Sequence, residues 1–100
     1  METEIKGKKA QITPGQEIVL TNSKELKDTV DNLVAKDVND ICLDFKNVQE
    51  IDSAGLGKIL LINKIINDND GELVIKNIQS KYVKKVFHMV QLDEIVDIQK

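Results

Sequence analysis

Asp52-Ser53-Ala54-Gly55-Leu56-Gly57 stands between two different hydrophobic rhythms. Before it, Ile41-Cys42-Leu43-Asp44-Phe45 is a short apolar run bounded by Asn39-Asp40 and Lys46-Asn47, and it reads as a central strand. After it, Leu56, Ile59, Leu60, Ile62, Ile65 and Ile66 recur at helical spacing over a wide face. Such a helix packs against something large. Asn67-Asp68-Asn69-Asp70-Gly71 is a dense stop signal, and Leu73 to Ile75 resumes strand character. The unit from Ile41 to Ile75 is long enough for a right-handed parallel crossover.

The same alternation extends both ways. The first dozen residues read as extended, with a strand at Ala10 to Thr13, and Pro14-Gly15 supplies a turn. Thr21-Asn22-Ser23 offers helix caps, and Leu26, Val30, Leu33 and Val34 form the apolar stripe of a helix ending near Lys36. Ser80 caps a third helix with the stripe Tyr82, Val83, Val86, Phe87 and Val90, and a strand over Ile95 to Ile98 closes the chain. One hundred residues sustain one core. The expectation is therefore an α/β fold, a single domain over residues 1–100, with helices packed on a small, mostly parallel mixed sheet.

Composition narrows the function. Hydrophobic residues at 41% and charged ones at 31% are ordinary for a soluble globular domain. A net charge of −3 without clustered cations argues against nucleic acid, since nothing displaces counterions from phosphates. Lys8-Lys9 and Lys84-Lys85 are short pairs of solvated surface. The single cysteine, Cys42, excludes an intramolecular disulfide and a zinc cluster and reads as a small core hydrophobe. Met1-Glu2-Thr3-Glu4 leads into no apolar stretch, and no run approaches the ~20 apolar residues that span a bilayer. A cytoplasmic protein without signal peptide or membrane insertion is expected. His88 has no nearby catalytic arrangement, and Asp44 and Asp52 read as a strand acid and a capping acid. No enzyme, cofactor or metal site is expected.

Asp52 and Ser53 can accept hydrogen bonds from the free N–H groups of the helix they precede. Ser53 lies at the positive end of the helix dipole, where a phosphate is electrostatically tolerated. Ala54, Gly55 and Gly57 are small enough to admit a partner close to the backbone, with Leu56 as the apolar anchor among them. The residues alone admit a second reading, in which Asp-Ser is a capping sequence and the small residues serve helix–strand packing only. Gly55-Leu56-Gly57 is too little to indicate a nucleotide site: it lacks the third glycine of the dinucleotide fingerprint and the Gly-Lys-Ser/Thr of a phosphate loop.

Ile51-Asp52-Ser53-Ala54-Gly55-Leu56-Gly57 resembles the signature of the STAS family in its anti-sigma factor antagonist branch: an apolar residue, Asp, Ser, a small residue, then Gly-Leu-Gly. Ile41 to Phe45 is similar to the family's central strand, and Gly71-Glu72-Leu73-Val74-Ile75 to its next strand. Val83-Lys84-Lys85-Val86-Phe87, with Leu92 and Ile95, is similar to its final helix and strand. The likeness runs from about Gly15 to Ile98.

The resemblance implies a partner switch. The unphosphorylated form would bind an anti-sigma factor serine kinase and release a sigma factor. The kinase would phosphorylate Ser53 and lose the complex, and a metal-dependent serine phosphatase would restore it. Asp52, Ser53, Ala54, Gly55, Leu56 and Gly57 would form the partner-binding surface. The alternative within the family is a STAS subunit of an ABC-type lipid transport assembly, docking on its ATPase. Many members of the family carry an aspartate shortly after the glycine that ends the second strand; here, in Gly15-Gln16-Glu17-Ile18, only Glu17 approximates that acid. Propensity makes Glu17 to Leu20 a strand, whereas the resemblance makes Ile18-Val19-Leu20 the loop leading into the first helix. On that view part of it packs on the sheet end or touches the partner.

Overall fold

The computed structural model describes residues 1–99. Five strands form the main sheet: β1 (Glu2–Lys6), β2 (Lys9–Thr13), β4 (Asp40–Asp44), β6 (Glu72–Lys76) and β7 (Asp97–Ile98), hydrogen-bonded in the order β1-β2-β4-β6-β7. The hairpin β1–β2 is antiparallel and every other pairing is parallel, so the sheet is mixed. Between β2 and β4 runs α1 (Ser23–Ala35), between β4 and β6 runs α2 (Ser53–Asp68), and α3 (Lys81–Met89) follows β6. A two-residue strand, β3 (Glu17–Ile18), pairs in parallel with another, β5 (Glu50–Ile51), outside the main sheet.

The register explains the core. Ala10, Ile41 and Leu73 align across β2, β4 and β6, as do Ile12, Leu43 and Ile75. All six are buried and form one apolar layer. Gln11, Cys42 and Val74, which alternate with them, are only half-buried. A strand's side chains alternate between faces, so the helices cover one face of the sheet and leave the other open. Cys42 is thus off the main core, on the open face, and partial burial pushes its thiol above its usual pKa.

Helical spacing supplies the other layer. Leu26, Val30 and Leu33 of α1 and Ile59, Ile62 and Ile66 of α2 are buried, one turn after another along each helix. From α3 only Val83 and Phe87 enter the core, Phe87 meeting Phe45 at a ring separation of 5.8 Å. Burying a side chain of this size contributes about 1.5–3 kcal/mol, so these few residues hold the helical layer on the sheet.

Two expectations need correction. Tyr82 and Val90 are exposed, because α3 is short and rests on a narrow stripe. Ile95 is also exposed and lies in a turn after a 3₁₀ segment (Leu92–Glu94), so the closing strand shrinks to Asp97–Ile98. The connection from β4 to α2 is itself structured. A turn and β5 intervene, and the helix starts from the small β3–β5 ladder.

Candidate functional site

The start of α2 is built around one carboxylate. Asp52, extended and exposed, occupies the N-cap position, and its Oδ1 accepts a hydrogen bond from the Gly55 amide at 2.8 Å. Its Oδ2 accepts from the amide of Leu20, thirty-two residues earlier, at 3.0 Å. The Asp52 amide in turn donates to the Ile18 carbonyl at 3.4 Å. One residue therefore caps the helix and fastens the loop after β3 to it. The Gly55 amide bond, followed by that from Leu20, holds the Asp52 carboxyl below its ordinary pKa, because both donors favour the charged form.

Ser53 is the first residue of α2 and is exposed. Its side chain makes no hydrogen bond among the described residues, so the hydroxyl is presented to solvent at the positive end of a sixteen-residue helix. The outward face of α2 continues from Ser53 through Gly57, Leu60, Leu61 and Lys64, all exposed. Leu60 and Leu61 each keep 39% of their surface, so the wide apolar face expected to pack is turned to the core only in part.

The sequence expectation for this segment is thus divided. Asp52, Ser53 and Gly57 are exposed and Ala54 is half-buried, all on the surface where a partner can reach them. Gly55 is buried, and the space a side chain would take is filled by the Ile18 carbonyl: a Cβ there would stand 2.0 Å from its oxygen. Gly55 serves helix–strand packing. Leu56 is half-buried and packs against the core, so it is not the free apolar anchor of the segment. The exposed apolar groups near Ser53 include Leu60 and Leu61 on the helix, Tyr82 at the start of α3 and Leu20 on the adjoining loop, the last retaining 74% of its surface. Leu60 belongs to the helical stripe that the sequence turns toward the core, and Leu20 to the segment expected to pack on the sheet end or touch a partner; the β3–β5 pairing and the Asp52 carboxylate bring it here.

The segment preceding α1 combines both expectations for it. Glu17–Ile18 is a strand, with Ile18 buried against Gly55, and Val19-Leu20 is a loop. Asn22 stiffens this loop: its Oδ1 accepts from the Val19 amide at 2.8 Å and its Nδ2 donates to the Glu17 carbonyl at 2.9 Å. The Glu17 side chain is exposed, on the strand that pairs with β5 just ahead of Asp52.

The other acid singled out in the sequence is structural. Asp44 is buried, and its Oδ1 accepts from the Lys46 amide at 3.0 Å and from Asn77 Nδ2 at 3.2 Å, tying the ends of β4 and β6. Ser80 caps α3 through a 3.1 Å bond from the Val83 amide, and Tyr82 Oη reaches the Ile51 carbonyl at 3.5 Å. Among the described residues no group of three or more His, Cys, Asp or Glu is placed to hold a metal ion. No helix among them is long and apolar enough to cross a membrane.

Comparison with known proteins agrees with this architecture. The STAS domain family matches residues 1–100. An anti-sigma-B factor antagonist of Staphylococcus aureus is 26% identical over 98 residues, spanning 98% of this chain and 90% of that protein. The crystal structure of a candidate anti-sigma factor antagonist from Thermotoga maritima superposes with a TM-score of 0.90 at 28% identity, over 99% of this chain and 85% of that one. The Bacillus cell fate determinant SpoIIAA in its phosphorylated form gives a TM-score of 0.76 at 18% identity, over 99% of this chain and 90% of that one, a likeness of fold alone. The chain belongs to the STAS domain family.

Proposed function

We propose that this STAS domain is an anti-sigma factor antagonist whose partner binding is switched at Ser53. In its unphosphorylated form it binds an anti-sigma factor serine kinase and frees the sigma factor which that kinase holds. Phosphorylation of Ser53 ends the complex, and a metal-dependent serine phosphatase restores it. The observation that carries this reading is the pairing of an exposed, unbonded serine at the first position of α2 with a neighbouring aspartate that already caps the helix. The relatives named as antagonists supply the class of partner.

The physics of the switch follows from that placement. A phosphoryl group adds about −1.5 to −2 charges at neutral pH. The helix N-terminus accommodates the anion, so the fold is retained. The same charge, enclosed in an interface made with Gly57 and exposed leucines, has no compensating solvent and costs the complex several kcal/mol in order of magnitude. The switch therefore acts on binding and not on folding.

The test is incubation with the anti-sigma kinase of the same genome and ATP, followed by intact mass and peptide mapping. One phosphate on Ser53, with binding lost in Ser53→Asp and kept in Ser53→Ala, is the expected result. Phosphate absent from Ser53, or a Ser53→Asp protein that still binds as wild type does, refutes the proposal.

A further inference from the structure

We infer that Leu20 is the principal apolar anchor of the surface that receives the kinase, and that Asp52 is the residue which positions it there. The inference rests on the proposed switch at Ser53 and adds to it a residue far away in sequence.

A protein that acts on Ser53 and remains bound must cover what surrounds it. A specific interface takes about 800 Å² from each partner, a disc of roughly 16 Å radius. The Leu20 amide is bonded to the residue next to Ser53, so Leu20 falls inside any such disc centred on the serine. Leu60 and Leu61, seven and eight residues along α2, lie about 10–12 Å up the helix and also fall inside it. Tyr82, exposed at the start of α3 and bonded through its hydroxyl to the Ile51 carbonyl, also falls inside it but keeps less of its surface than Leu20, whereas Met89 and Ile95 belong to the far end of α3 and the turn beyond it.

A lone exposed leucine is ordinary on a protein surface. Leu20 differs in being held. Asp52 fixes its amide, Asn22 fixes the amide before it, and the amides of Asn22 and Ser23 both donate to the Val19 carbonyl. Asn22 stands in the N-cap position of α1 yet gives its side chain to this loop and not to the helix. The result is the most exposed large hydrophobic side chain of the described residues, at 74%, on a backbone with little freedom left to lose. Preorganisation of this kind lowers the entropic cost of association, so more of the contact made by a side chain held this way is kept as affinity. The occupant is accordingly a serine kinase with an apolar pocket beside the centre that reaches Ser53.

Binding of the full chain to the anti-sigma kinase, measured with a non-hydrolysable ATP analogue, tests this. Leu20→Ser should weaken binding about ten- to thirtyfold while leaving thermal stability unchanged, and Leu20→Met should stay within about threefold of wild type. Asp52→Asn keeps an oxygen for the helix cap but offers an amide where Leu20 needs an acceptor. It should speed hydrogen exchange at the Leu20 amide and weaken binding without unfolding α2. If wild type binds, Ser53→Asp does not, and Leu20→Ser binds within threefold of wild type, the anchor is refuted and the switch stands. If wild type binds no such kinase, the switch fails and the anchor's assignment with it. A wild-type dimer in sedimentation that Leu20→Ser dissociates would give the surface to a second copy of the chain and overturn the kinase as its occupant.

Discussion

Two glycines separated by one residue should respond to the same substitution with opposite signs. Gly55→Ala places a Cβ 2.0 Å from the Ile18 carbonyl oxygen and 2.8 Å from its carbon. Ordinary contact begins near 3.4–3.5 Å, so β3 and α2 must part by about 1.4 Å. The obstacle is backbone, and no rotamer change relieves it. Overpacking of this kind costs about 1–3 kcal/mol, and separation also weakens the bond from the Asp52 amide to Ile18 and the burial of Ile18. Against this stands a gain of up to about 1 kcal/mol from replacing glycine in a helix. A net loss of about 2–3 kcal/mol is expected, which for a domain of this size lowers Tm by roughly 10–20 °C.

Gly57→Ala meets nothing within 4 Å and gains the helix propensity outright, about 0.5–1 kcal/mol and a few degrees of Tm. Urea and thermal unfolding followed by circular dichroism measure both variants. A Gly55→Ala protein within 0.5 kcal/mol of wild type, or a Gly57→Ala protein less stable than Gly55→Ala, would refute the packing of Ile18 against α2.

Three further outcomes follow from the same structure. Ile59→Ala removes a fully buried side chain from the core face of α2 and should cost about 2–5 kcal/mol by urea unfolding; a loss below 1 kcal/mol would mean that α2 does not seat on the sheet through this face. Ser80→Ala removes the cap of α3 and should cost about 1 kcal/mol in the same assay, whereas an unchanged midpoint would show the cap bond to be inert. Asp52 has a folded pKa below its unfolded value, so its contribution to stability is complete above the unfolded pKa near 3.8 and is lost as pH falls through the folded one. Wild type should therefore exceed Asp52→Asn in urea midpoint by a constant margin above about pH 5, and the margin should shrink below about pH 4; a margin that grows on acidification would contradict the hydrogen bonds assigned to this carboxylate.

What the sequence disclosed and what it concealed divide along a physical line. Periodicity is local: the strand at Ile41 to Phe45, the helix after Asp52 and the strand at Leu73 to Ile75 each declare themselves within a few residues, and their alternation dictates the parallel crossover. Capping is equally local, and Asp52 and Ser80 are found where their residue types predict. Ser53 was legible for the same reason, since a helix's first residue is set by its own cap. Gly55 and Gly57, by contrast, are the same residue in the same helix with different duties. Nothing near them in sequence reveals that Ile18 fills the space beside one and leaves the other open.

The same distinction explains why the sequence makes Leu56 the apolar anchor and leaves Leu20 as one residue of a segment with two readings. Within Asp52 to Gly57, Leu56 is the only large apolar residue, and the helix's orientation on the sheet turns it partly inward. Leu20 reads as the end of an apolar run, Ile18-Val19-Leu20, which propensity would place in a strand. Its exposure depends on Asn22 and Asp52 ending that strand after Ile18 and drawing the next residues out beside α2. Both polar side chains act on backbone amides, and Asp52 does so across thirty-two residues of sequence. On the proposed function this is a division of labour within the motif: Asp52 and Gly55 assemble the surface, Ser53 would carry its switch, and the apolar groups offered to a partner would come from Leu20 and the outer face of α2.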